Sequence, residues 1–191
     1  MPRRRYIYDP PERFVAGTVG EPGDRTFFLQ ARDGGRITSV VLEKVQVAVL
    51  ADRLNRLLDE LEQRGVTAPP ATPDVGAADV APLDEPIVEA FRAGTLTLGW
   101  DGDTDRILVE ARARAEEDED DEAVEAELAE DDDAPEGPDI FRVRLTAPAA
   151  RAFVQRAARV VASGRPPCPL CGEPLDPQGH ICPRRNGHYV N

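Results

Sequence analysis

Six short stretches of the chain read as β-strands. Three come early, at residues 14–20, 26–32 and 36–42, and Asp33-Gly34-Gly35 joins the last two, since glycine tolerates the positive φ of a tight hairpin. The later three alternate cleanly. Leu96, Leu98 and Trp100 alternate with Thr95, Thr97 and Gly99, while Ile107, Val109, Ala111 and Ala113 share one side of residues 106–114. The Asp101-Gly-Asp-Thr-Asp105 turn connects these two, and Phe141, Val143 and Leu145 then alternate with Arg142 and Arg144.

Elsewhere the apolar period becomes that of a helix. Val47, Leu50, Ala51, Leu54, Leu57, Leu58 and Leu61 form one stripe, which predicts a helix over residues 43–64 that stops at Gly65. Ala150, Phe153, Ala157, Val160 and Val161 predict a second over residues 147–162, with Thr146 as cap, Pro148 in the first turn and Gly164 at the end. Each half of the chain therefore runs strands, hairpin, strand, helix. The implied class is α+β, an antiparallel sheet covered by two helices, and the repeated order suggests a duplicated strand-strand-strand-helix unit.

Composition shifts mark what lies between and beyond these elements. Residues 66–86 contain Pro69, Pro70, Pro73, Pro82 and Pro86 and read as a Pro-rich linker or long surface loop. The net charge of −13 is confined to one place: 13 of the 36 acidic residues fall within residues 116–133, where no basic residue occurs, and the other 23 balance the 23 basic ones. Like-charge repulsion and few large apolar residues make that segment a solvated, disordered insertion. A frayed helix through Val124 and Leu128 and a partner-binding acidic tail are the alternatives. The expected organisation is a body over residues 1–163, with the Pro-rich loop at 66–86 and the acidic insertion at 116–139, followed by a tail over residues 164–191. At 191 residues the chain can hold one sizeable core or two small ones. No apolar run reaches the ~18 residues of a membrane span, and no signal-peptide core follows the basic N-terminus, so a cytoplasmic location is expected. Lys44 is the only lysine, and the prevalence of arginine, alanine and glycine fits a high-GC bacterial genome.

The tail carries the clearest chemistry. All three cysteines and both histidines fall in Cys168-Pro-Leu-Cys171, Gly179-His180-Ile-Cys182 and His188. An odd number of cysteines in a single cluster argues for metal ligation rather than a disulfide framework. A Cys-x2-Cys turn presents two thiolates with the bite a tetrahedral zinc ion needs. The favoured set is Cys168, Cys171, His180 and Cys182, with His188 as the alternative fourth ligand. Four protein ligands leave no open position, so the zinc is expected to be structural, and its binding would contribute about 10–16 kcal/mol to folding a short, coreless tail. A redox pair would need a cysteine at a helix N-terminus, and Gly172-Glu-Pro174 with Pro177 opposes a helix there.

Other candidate motifs have simpler explanations. Asp101, Asp103 and Asp105 begin like a calcium loop, but Arg106 and Arg112 occupy the positions that need Gly and Glu. Gly17, Gly20 and Gly23 are followed by no Lys-Ser/Thr pair, and turns account for them. With both histidines in the tail, no Ser-His-Asp or Cys-His nucleophile set can be built outside it. Arg3, Arg4, Arg5 and Arg13 at one end and Arg165, Arg184 and Arg185 at the other raise the question of nucleic acid, which the neutral body, the acidic insertion and the few aromatics oppose.

The tail from Pro166 to Gly187, together with Arg13-Phe-Val-Ala-Gly-Thr-Val-Gly20 and Thr26-Phe-Phe-Leu-Gln-Ala-Arg32, resembles an uncharacterised actinobacterial family, DUF3090. The resemblance covers essentially the whole chain. It implies a cytoplasmic protein of unknown activity, encoded near a histidine-phosphatase-like gene and the ligase of mycothiol synthesis, and assigns no catalytic residue. The leading expectation is a zinc-binding accessory or protein-interaction module with a protein partner. An enzyme or enzyme subunit acting on a phosphorylated or thiol metabolite is the first alternative, and a nucleic-acid-binding regulator the second. A polar-lined pocket between sheet and helices would favour the enzyme, a flat apolar sheet face the partner protein, and a continuous arginine surface the nucleic acid.

Overall fold

The computed structural model describes residues 2–66, 79–114, 136–164, 168–171, 175 and 182. In chain order their elements are β1 (Arg5–Tyr8), β2 (Arg13–Val19), β3 (Thr26–Asp33), β4 (Arg36–Leu42), α1 (Lys44–Gln63), β5 (Glu89–Asp101), β6 (Arg106–Ala113), β7 (Ile140–Leu145) and α2 (Ala147–Ala162). The seven strands form one sheet in the order β1-β7-β6-β5-β4-β3-β2. Two antiparallel meanders, β2-β3-β4 and β5-β6-β7, lie side by side, each followed by a helix.

The sheet is mixed, not antiparallel as the sequence suggested, because β4 pairs with β5 and β1 with β7 in parallel. Connectivity explains the correction. A hairpin reverses the chain, but the path from Leu42 to Glu89 includes a whole helix and a loop, which suffices for a crossover returning in the same direction. β1 escapes any local pattern because it is four residues long and pairs with a strand from the opposite end of the chain.

Chain length dictates the curvature of this sheet. A flat seven-stranded sheet would hold its edge strands about 29 Å apart. Yet the link from Tyr8 at the end of β1 to Arg13 at the start of β2 can span at most about 18 Å. The sheet therefore has to curl, and side chains from its two edge regions meet across the concave face. Tyr8 Oη lies 2.7 Å from Thr38 Oγ1 on β4. The Arg36 guanidinium sits 4.1 Å from the Tyr8 ring centroid and donates to the Ile7 carbonyl at 2.6 Å. Phe14 of β2 is 6.3 Å from Phe141 of β7, Tyr8 meets Phe141 edge-on, and Phe153 of α2 stacks on Phe14 at 4.6 Å.

Both helices fill the concave face. α1 buries Val47, Leu50, Ala51, Leu54, Leu58 and Leu61 along the expected stripe, and α2 buries Ala150, Phe153 and Ala157. They pack on Ala16, Leu29, Val40, Leu42, Leu96, Ile107, Val109, Phe141, Val143 and Leu145 in one continuous core. Arg151 of α2 ties the helices together by donating to Asn55, Asp59 and Glu62 of α1. Thr146 caps α2 as expected, accepting from the Ala149 N–H. Gln46, buried in the first turn of α1, accepts from the Glu43 N–H and donates to the Gly94 carbonyl at 3.0 Å, beside the point where β5 slips register against β6.

The convex face carries a smaller cluster of Val15, Phe28 and Val41 under Leu83, with Ile87 against it. Residues 79–86 of the Pro-rich segment, with Ile87 and Val88 after them, thus lie as a strap against the sheet. Gln30 holds the strap as an extra strand would: Oε1 accepts the Asp84 N–H at 2.7 Å and Nε2 donates to the Asp84 carbonyl at 2.9 Å. Gly17 lies within β2, inside the strand expected over residues 14–20 and not in a turn as its grouping with Gly20 and Gly23 had suggested, and its missing side chain is what lets Leu83 lie against the strand. At the β2 edge, Arg13 donates to Asp79, Asp84 and the carbonyls of Ala81 and Pro82. Arg156, nearly fully buried, reaches Asp79 and Ala81 from α2. No helix among the described residues is long and apolar enough to cross a membrane.

Candidate metal centre

Cys168 and Cys182 are buried and Cys171 half-buried. Their three Sγ atoms all lie within 4.8 Å of one another, with Cys168 and Cys182 at 3.9 Å. A disulfide would bring two sulfurs to about 2.05 Å, and all three thiols are free. For a tetrahedral ion with metal–sulfur bonds of ~2.3 Å, neighbouring sulfurs fall about 3.8 Å apart. The Cys168–Cys182 separation matches that geometry.

Local backbone explains why the first pair is suited to bind. Cys168-Pro-Leu-Cys171 folds as a tight turn, so the N–H groups of Cys171 and Leu170 point back at the Cys168 sulfur. Those hydrogen bonds, the Cys171 one foremost, pull the Cys168 thiol down to about 6. A thiol lowered this far is largely thiolate at neutral pH, the form that ligates metal. Three convergent cysteine sulfurs select soft or borderline ions such as zinc over calcium or magnesium. The structure thus brings together Cys168, Cys171 and Cys182, while His180 and His188 lie outside the described residues.

The Asp101 loop is a hairpin turn. Asp101 accepts from the N–H groups of Asp103 and Thr104 and from the Thr104 hydroxyl, so its carboxylate is spent on the turn, and the Thr104 hydrogen bonds hold it below the ordinary carboxylate value. The acidic residues expected to form an insertion fall between β6 and β7, mostly outside the described residues.

One feature had no sequence signal. A cavity of about 460 Å³ opens between the β2–β3 loop, the first residue of α1 and the last turn of α2. Pro22, Gly23, Arg25, Phe27, Lys44 and Val161 are among the residues that line it. They come from three separate segments, so no spacing rule could have grouped them, although the isolated lysine was visible in the composition.

No curated protein and no solved structure matches the chain. A family does match, over residues 6–182, a span that includes the curled sheet, both helices, Cys168, Cys171, His180 and Cys182. On that match the chain belongs to the family described as protein of unknown function (DUF3090).

Proposed function

We propose that the chain is a cytoplasmic accessory or protein-interaction module whose C-terminal end is stapled by one structural zinc ion. The observation that carries this reading is the convergence of Cys168, Cys171 and Cys182 Sγ atoms within 4.8 Å. His180 is the fourth ligand in this reading, since Gly179 and Pro183 bracket it with Cys182 in one compact stretch. His188 is the competing donor. Four protein ligands would leave the ion no open position, which makes it a staple for a zinc-ribbon-like tail rather than a reaction centre.

The repeated order of two meanders, each followed by a helix, supports a duplicated ancestry for the body over residues 1–163. The tail over residues 164–191, joined to it through Gly164, is then the natural contact surface for a partner protein. The test pairs metal analysis with affinity capture from the native cell. The reading expects about one zinc per chain and a stoichiometric protein partner that is lost when the tail cysteines are changed. Metal-free folded protein, or a partner retained by the cysteine variants, would overturn it.

A further inference from the structure

We propose that the cavity between the β2–β3 loop, α1 and α2 is a binding site for a small phosphate ester, with Lys44 and Arg25 holding the phosphate. Its volume of about 460 Å³ falls in the ordinary range of small-ligand sites, about 300–1,000 Å³. Phe27, Val160 and Val161 line it with apolar surface beside the two cations. A charged head and an apolar body in the ligand would match that division.

What distinguishes this cavity is that, among the described residues, two cations share it without a carboxylate. Most other arginines with a described side-chain partner meet carboxylates: Arg13 meets Asp79 and Asp84, Arg92 meets Glu43, Arg144 meets Asp9, and Arg151 meets Asp59 and Glu62, while Arg106 and Arg159 donate to carbonyls as single cations. Among the described residues, no carboxylate lines the cavity, and neither Lys44 nor Arg25 is within ion-pair distance of one. A simpler reading is that both cations serve the C-terminal end of α2, because Arg25 Nη1 donates to the Ser163 carbonyl at 2.7 Å and to its hydroxyl at 3.1 Å. A helix C-terminus carries only about half a negative charge, however. Two full positive charges therefore leave an excess of about 1.5, close to the −1.5 to −2 of a phosphate ester at neutral pH.

Lys44 adds a second, independent argument. It is the first residue of α1, where the positive end of the helix dipole disfavours a cation by about 0.3–1 kcal/mol. The first turn contains no acidic residue, and Glu43 just before it is engaged by Arg92 at 2.9 Å. The chain thus places its only lysine where the helix dipole opposes it, at the rim of a cavity. A lysine and an arginine that share one cavity wall favour a phosphate dianion. The short link from Gly164 to Cys168 also keeps the cysteine cluster within about 14 Å of the cavity wall.

Titration of the full chain with phenyl phosphate and with inorganic phosphate, followed by calorimetry or by backbone amide shifts, tests the site. Saturable binding of phenyl phosphate is expected, tighter than that of inorganic phosphate, with shifts centred on Lys44, Val161 and Gly164. Loss of one charge-assisted contact should weaken it about tenfold or more in Lys44→Met and in Arg25→Met. Arg56→Met, on an exposed face of α1, should bind as the parent chain does. Lys44 is exposed, so its variant folds whatever becomes of Arg25. Absence of saturable binding, or binding that survives Lys44→Met or falls equally in Arg56→Met, would overturn the site. Neither cation belongs to the cysteine cluster, so such a failure would leave the metal reading intact.

Discussion

Arg156 Nε donates to the carbonyl oxygen of Ala16 at 2.7 Å, so a charged side chain from α2 caps the free edge of β2. The same guanidinium donates to the Asp79 carbonyl at 2.6 Å and the Ala81 carbonyl at 2.8 Å, pinning the strap to the sheet edge. Burial works against the charge, and the Asp79 carboxylate partly offsets it. Replacing Arg156 with Met should leave the buried Ala16 carbonyl without this donor and loosen the strap, whose Asp79 and Ala81 would keep only the Arg13 guanidinium of the two. The expected loss is about 3 kcal/mol, read as a lower urea midpoint. Arg156→Lys should recover little, because an ammonium cannot fork between a strand carbonyl and the strap. Full recovery with lysine would show that charge alone matters here.

Asp79 makes that junction sensitive to acid. Hydrogen bonds from Arg13 hold its carboxyl below the ordinary carboxylate value, against the opposing effect of burial, with the charges of Arg13 and Arg156 adding to the shift. A carboxyl depressed in the folded state stabilises fully above its unfolded value near 4, and the contribution is lost as pH falls through the folded value. Asp79→Asn should therefore be less stable than the parent at pH 7, and the gap should close on acidification below about pH 4. Urea unfolding at a series of pH values measures it. A gap that stays constant down to pH 3 would mean the carboxylate charge is not what holds the strap.

Gly17 is kept by packing. A Cβ added there would stand 2.6 Å from both Cδ2 and Cγ of Leu83, which is itself boxed in by Val15, Phe28 and Val41. Gly17→Ala should cost about 1–3 kcal/mol by overpacking. Leu83→Ala should cost about 2–4 kcal/mol by leaving a void. The added methyl group can occupy part of that void, so the double variant should lose less than the sum of the two. A double-mutant cycle in urea reads the coupling directly; simple additivity would show that Leu83 moves aside freely.

The parts of this fold that depend on short-range periodicity were legible in the sequence. The stripe from Val47 to Leu61, the Thr146 cap, and the apolar sides of β6 and β7 are used as expected, although Glu110 on the other side of β6 is buried between Arg112 and Arg142. Long-range pairing was not legible. β1 has no pattern of its own because its partner β7 is supplied by the other end of the chain. The parallel β4–β5 contact depends on where a long connection returns, which no window of residues records. Arg156 falls on the apolar stripe of α2, where a periodicity reading passes over a charged residue, although burial of that arginine is what secures the strap. For the candidate metal site, the Cys-x2-Cys spacing sufficed to mark the pair because its geometry is local. Lys44 and Arg25, brought together by tertiary packing, left no such trace.

The cysteine cluster lies outside the main core, which sets the expected consequence of losing the metal. None of Cys168, Cys171 or Cys182 belongs to the cluster built from the sheet, α1 and α2. Cys168→Ser or Cys182→Ser should abolish zinc content in the purified chain while far-UV circular dichroism and the unfolding midpoint of the body change little. A chelator applied to the parent chain should do the same. The segment after Gly164 should become newly open to proteolytic cleavage, because a short tail without its own core depends on the ion for its folded state. Between the two histidines, His180→Ala should release the metal and His188→Ala should retain it. The reverse pattern would move the fourth ligand to His188. Retention of zinc in both variants would mean that three thiolates and a non-histidine donor suffice, and the site would then have an exchangeable position rather than a closed shell.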